Sequence, residues 1–247
     1  MKHKFIILWL VGVISTILAL PYIFALQHEV LAKSSMPLWQ VALLSVAQSA
    51  ILLAVTVFCG LKLAQYIHLR VLVLEVGVPL KNYLKDIVKL ALPIGTAVAL
   101  VIKFGDLFFL KYIPQLVAAT EQMPTWKALL VAPYGGVVEE LLLRLFVVTL
   151  FAWLFGKITR SIEVTKNNLI MWMAIVAAAI LFGLGHLPAT ATILPLTPVV
   201  VMRAVLLNGI GGVVFGWLYW KKGLEYAIVA HFTADIVLHA ILPALMK

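Results

Sequence analysis

The chain has 247 residues, of which 64% are hydrophobic and 12% charged, and its mean hydropathy is +1.11. Soluble domains are about half apolar and a quarter charged, so this composition excludes an ordinary water-soluble fold. The formal charge of +9 reads as the Lys and Arg excess of cytoplasmic loops; no loop carries the basic face with interleaved aromatics that nucleic-acid binding needs.

Runs of about 20 apolar residues, the length of a spanning helix, occur at 5–26, 38–65, 86–112, 128–156, 169–187, 199–220 and 226–246. The expected fold is all-α, a polytopic transmembrane helical bundle with about seven spans. Lys2-His3-Lys4 ahead of the first run also suits a signal peptide. That run is longer than a signal core and lacks a small-x-small cleavage site after it, so a retained helix is expected. The single cysteine, Cys59, lies in the second run, which excludes an internal disulfide and a thiolate metal cage.

The stretch 68–85 mixes Leu and Val with Arg70, Glu75 and Lys81, as either an amphipathic element on the inner surface or a plain loop. In the third run Lys103 and Asp106 are three apart and are expected to pair with each other. In the sixth, Arg203 is near enough to an end to snorkel, and Gly212 and Gly216 form a small-xxx-small packing pair. With the N-terminus inside, the cytoplasmic face collects Lys2, Lys4, Arg70, Lys81, Lys85, Lys157, Arg160, Lys166, Lys221 and Lys222. The outer face receives Lys33, Lys111, Lys127 and Lys247. The expected protein is a multi-pass integral membrane protein with a cytoplasmic N-terminus. Residues 1–126 supply N-terminal helices, and 127–247 supply the helices that carry the chemistry.

A charged side chain at membrane depth costs on the order of 2.5–3.5 kcal/mol on the insertion scale and so calls for a partner or a task. The fourth run contains Glu139-Glu140-Leu141-Leu142-Leu143-Arg144, the fifth ends Phe182-Gly183-Leu184-Gly185-His186, and the seventh contains His231-Phe232-Thr233-Ala234-Asp235. Glu140 and Arg144 are four apart, in the favourable order for an ion pair, and serve as structural support. Glu139, five from Arg144, points away from it on an α-helix and is left without a local partner. A partly desolvated carboxylate of that kind suits a group that takes a proton from water and later delivers one. His186 supplies a hydrogen bond or a second proton position, and Phe182, one turn earlier, walls the pocket. His231 and Asp235 are four apart, which lets the aspartate fix the imidazole tautomer or lets both ligate one metal. His239 continues that face as a helix-end or interface residue.

These three motifs resemble the CAAX prenyl endopeptidase type II family, also called the CAAX-protease and bacteriocin-processing or Abi family. It is marked by Glu-Glu-xxx-Arg, Phe-xxx-His and His-xxx-Asn or Asp, in that order on successive membrane helices. The resemblance runs from Glu139 to Asp235. It implies a membrane endopeptidase in which Glu139, with His186, activates water, while His231 and the Asp235 position support the oxyanion or a metal. Many relatives carry Asn at that last position, so Asp235 is expected to orient His231. The soluble zinc-protease motif is absent, because His28-Glu29 is followed by Ala32 where the second His would stand.

No cofactor is expected to be required. The alternative is one divalent metal, zinc foremost, held by Glu139, His186, His231 and Asp235. Expected partners are a peptide or protein substrate in the membrane and the lipid bilayer, with no nucleic acid. Two rival functions use the same residues: a proton- or ion-coupled transporter with a Glu/His/Asp relay, and a non-catalytic peptide-binding scaffold or immunity protein. A count of about 1.5 Å per residue from the inner ends leaves Glu139 and His186 some 25 Å deep and His231 about 12 Å deep. Level, straight spans would therefore keep them apart.

Overall fold

A computed structural model describes residues 1–71, 79–116 and 124–245. The central part of the expected amphipathic stretch, with Glu75, and the terminal Met246 and Lys247 lie outside the described residues. Among the described residues there is no strand, and seven helices are long and apolar enough to cross a membrane. They are α1 (Lys2–Leu26), α2 (Leu38–Ile67), α3 (Leu80–Leu110), α4 (Thr125–Ile158), α5 (Asn168–Ala191), α6 (Pro198–Lys221) and α7 (Leu224–Leu245). Helices are what a lipid solvent demands, since no water is present to satisfy open backbone groups.

Helix starts follow local chemistry. α2, α3 and α4 begin directly after Pro37, Pro79 and Pro124. The Asn167 side chain accepts from the Ile170 amide at the start of α5, and Thr197 accepts from Val200 before Pro198 opens α6. α3 starts six residues before the apolar run does, so Lys81 and Lys85 sit on its first turns rather than in a loop.

α4 is not a regular α-helix. Tyr134–Glu139 and Leu141–Val148 are wound as π-helix. Pro133 lacks the amide hydrogen that would complete the α ladder there, and Gly135 and Gly136 are weak helix formers. The Thr149 hydroxyl takes up the Arg144 carbonyl five residues back, at 3.3 Å. π turns are rare and recur at functional sites, and these two run through the Glu-Glu-xxx-Arg motif, with Glu140 between them. A third, Val237–Ile241, follows Asp235 on α7.

Close approach at small residues holds the bundle together. A Cβ on Gly212 would meet Ala179 at 2.7 Å and one on Gly216 would meet Ile175 at 2.8 Å, so α6 lies flush on α5. Gly95 of α3 abuts the Ala230 carbonyl of α7 in the same way. In the most apolar windows of α4, α5 and α6, 39–44% of residues are buried, against 17–28% in α1 to α3, so these three form the centre. One end of the bundle gathers the basic loops. Lys4 Nζ donates to the Val71 carbonyl, the Leu224 amide donates to Arg70, Trp220 Nε1 donates to Thr165, and Lys157 Nζ donates to the Tyr66 hydroxyl.

Two polar pairings differ from the local expectation. Asp106 binds Arg203 of α6, with Nε donating at 2.7 Å and NH2 at 2.6 Å from Oδ1. Arg203 therefore does not snorkel, and Lys103 is not the partner of Asp106. A guanidinium offers two parallel donors where an ammonium offers a point charge, and the tertiary partner prevails over the one three residues away.

Candidate active site

At the centre of α4 the fully buried Arg144 pairs with the fully buried Glu140, NH1 to Oε1 at 2.9 Å. The guanidinium lies over the Phe182 ring at 4.9 Å and the Phe215 ring at 5.5 Å, and NH2 donates to the Gly211 carbonyl at 3.4 Å. The pair is more than the helix lock its spacing suggests. Glu140 Oε1 also accepts from Nδ1 of His231, at 2.7 Å, across 91 residues of sequence.

That bond fixes the imidazole. With Nδ1–H committed to Glu140, the Nε2 edge of His231 faces Glu139 Oε2 and Asp235 Oδ1, each at 3.7 Å. Two carboxylates adjacent in sequence thus address opposite edges of one ring. Phe215 stacks on the same ring at 4.6 Å and 23°, and Phe182 meets it edge-on at 5.8 Å. Asp235 shares the Nε2 edge instead of holding Nδ1, so the expected task of fixing the tautomer falls to Glu140. His186 is prepared in the same manner. Its Nδ1 donates to the Phe182 carbonyl at 2.8 Å, which turns Nε2 toward Glu139 Oε1 at 4.0 Å.

The structure thus brings Glu139, His186, His231 and Asp235 together and sets Glu140, Arg144 and Phe182 behind them. Side-chain exposure is graded, from 0% at Glu140 through 7% at His231 to 20% at Glu139 and 33% at His186. The cluster therefore opens on the Glu139 and His186 side. The apparent mismatch in depth arose from taking all inner ends as level. α4 has 34 residues, on the order of 50 Å if wound as α-helix, and overshoots the 30 Å hydrocarbon core. Glycine permits the final approach, since a Cβ on Gly135 would strike Asp235 and lie 3.3 Å from His231 Nε2, and one on Gly136 would meet the Phe232 backbone. His239 is exposed and lies in the Val237–Ile241 π turn, six residues before the end of α7.

Chemically, the inward-facing atoms are two carboxylates and two imidazole Nε2 atoms. Without an added proton all four only accept hydrogen bonds. Their gaps of 3.7–4.0 Å exceed a direct hydrogen bond. Such a constellation is completed by protons, or by a small donor such as water shared between them. As for a metal, no group of three or more His, Cys, Asp or Glu among the described residues is arranged to hold one. The nearest donor set is His186 Nε2, His231 Nε2, Glu139 and Asp235. Sequence reasoning missed the His231–Glu140 bond and the Phe215 stack. Both are tertiary, and only the position of Phe215 beside the glycine run Gly211-Gly212 hinted that its ring faces a neighbour.

The seven apolar helices fit a multi-pass integral membrane protein, and a partly sheltered Glu/His cluster lies at the centre of the bundle. Residues 121–237 match the Type II CAAX prenyl endopeptidase Rce1-like family. That match spans 117 of the 247 residues, just under half of the chain, and marks what this segment resembles. Comparison with curated proteins gives no match, and comparison with solved structures gives none either.

Proposed function

We propose that the chain is an intramembrane endopeptidase that hydrolyses peptide bonds of membrane-associated substrates with a water activated by Glu139 and His186. One observation carries this reading. The ion-pair neighbours of Glu139 among the described residues are the Nε2 edges of two imidazoles, each held in place through its other nitrogen.

Glu139 accepts a proton from water as the water oxygen attacks the scissile carbonyl carbon. The carbonyl electron pair moves onto its oxygen, and His231 or His186, made an imidazolium by a second proton taken up at Nε2 before the attack, turns that proton toward the developing charge. Collapse re-forms the carbonyl and breaks the C–N bond. The proton on Glu139 passes to the departing nitrogen, leaving a carboxyl terminus and a free amine. Glu140 and Arg144 act as positioning residues: the guanidinium neutralises Glu140, and Glu140 holds the His231 ring. Asp235 steadies the proton or water at the Nε2 edge. The family's name points to prenylated protein C-termini as the substrate class, with signal or bacteriocin-type peptides as the other candidates.

The test is peptide-cleavage mass spectrometry on detergent-purified protein, with and without chelator, using Glu139→Gln as the blank. Cleavage in both conditions that disappears in the blank is expected. Loss with chelator and recovery on adding zinc would move the mechanism to the metal alternative. Ion or proton transport by the reconstituted protein without any cleavage would replace the protease reading by the transporter.

A further inference from the structure

A sizeable cleft lies far from this cluster. It has a volume of about 840 Å³ and is formed where the end of α2 meets the end of α4 and the 159–166 loop. Lys157, Arg160 and Lys166 line it together with His68, and the single acid on its wall, Glu163, already pairs with Lys166 at 2.6 Å. The wall therefore carries an excess of positive charge. Lys157 is eighteen residues beyond Glu139 along α4, on the order of 27 Å by α-helical rise, so the cleft is separate from the catalytic cluster.

The backbone around it is specialised. Among the described residues the non-glycine residues with positive φ are His68, at 61°, and Arg160, at 53°. Both line this cleft. Each terminates a spanning helix at a left-handed position that ordinarily takes glycine. Keeping a bulky basic side chain there costs conformational energy, and the return is two nitrogen-bearing groups aimed at one space. The remaining wall is amphipathic. Trp153 and Tyr66 lie at the helix ends, and Ile162 stands 98% exposed on the loop. Trp and Tyr at helix ends mark the headgroup level of a bilayer, and an isoleucine that is bare in water is covered when it dips among acyl chains.

We propose that this cleft is a binding site for an anionic phospholipid. The headgroup phosphate lies among Arg160, Lys157, Lys166 and His68, and the acyl chains run along Tyr66, Trp153 and Ile162. Basic pockets between spanning helices on the basic side of a membrane protein are where such headgroups are held. The position of the cleft at the end of the bundle that gathers the basic loops suits a lipid of the adjoining leaflet. Occupancy ties α2 to α4, where Lys157 already bonds the Tyr66 hydroxyl at 3.1 Å.

Native mass spectrometry of the detergent-purified full chain tests the assignment, with dioleoyl phosphatidylglycerol as the probe and dioleoyl phosphatidylcholine as the neutral control. Wild type is expected to retain phosphatidylglycerol through collisional stripping of detergent. Lys157→Gln/Arg160→Gln is expected to weaken binding roughly tenfold or more, since each cation near an anionic surface contributes appreciably. Lys221→Gln/Lys222→Gln, at the same end but outside the cleft, should bind as wild type does, and Lys157→Arg/Arg160→Lys should restore binding. Circular dichroism checks that each variant is folded. Equal retention of phosphatidylcholine, equal loss in the Lys221/Lys222 variant, or full displacement by inorganic phosphate would overturn the proposal.

Discussion

Among the described residues, two carboxylate–arginine pairs lie within the spanning helices, and they are built differently. Glu140 and Arg144 share one helix, are fully buried, sit between two aromatic rings, and extend to a third titratable group, His231. Asp106 and Arg203 join two helices across 97 residues, with side chains 25% and 20% exposed. The second pair has spent its charge on fastening α3 to α6. The first pair is spent on positioning a ring whose other edge still faces Glu139 and Asp235. A charge at membrane depth is therefore not by itself the mark of a site. The mark is a neutralised pair that leaves a further carboxylate and imidazole facing each other.

Removing the cation from the first pair should have the largest effect. Arg144→Ala strands a buried carboxylate, and breaking such a pair costs about 3–5 kcal/mol. Purified yield and thermal melting are expected to collapse; a variant that melts like wild type would place Arg144 outside the support of the fold. His231→Ala removes the ring that Glu140 holds. Cleavage should fall on the order of 10²-fold or more while the protein still inserts and elutes as a folded species, and near-normal turnover would sever the link between the pair and the chemistry. Asp106→Asn probes the second pair and leaves an amide oxygen that still accepts from Arg203. Melting should drop slightly with cleavage within about twofold of wild type, so a large loss of cleavage would erase the contrast between the pairs. Reporter fusions after Lys166 and Lys222 are expected to report cytoplasm, in keeping with the gathering of basic loops at one end. An extracellular signal at either would invert the proposed orientation.

How much of this was legible in the sequence depended on range. The spans were, because length and apolarity are local properties set by the bilayer. The Glu140–Arg144 pair was, because an i,i+4 spacing makes neighbours on an α-helix, and the contact persists in the π-wound stretch. The Phe182–His186 pair was legible for the same reason. What escaped was every partner chosen by packing. Asp106 takes Arg203 over Lys103, three residues away, and Glu140 takes His231 from the other end of the half-chain. Neither choice leaves a periodic trace. The early start of α3 escaped because Lys81 and Lys85 interrupt the hydropathy without interrupting the helix. The convergence of residues counted at different depths escaped because a 34-residue span and unequal helix ends cannot be read from composition.

The central claim is that neighbouring glutamates have separate tasks, Glu139 in chemistry and Glu140 in holding the structure that serves it. Its most direct test sets Glu139→Gln beside Glu140→Gln, with the melting temperature and the rate of peptide cleavage measured on the same purified samples. The account predicts that Glu139→Gln melts with wild type while its cleavage falls by on the order of 10²–10⁴, and that Glu140→Gln melts lower. Full cleavage by Glu139→Gln, or unchanged melting of Glu140→Gln, would contradict it.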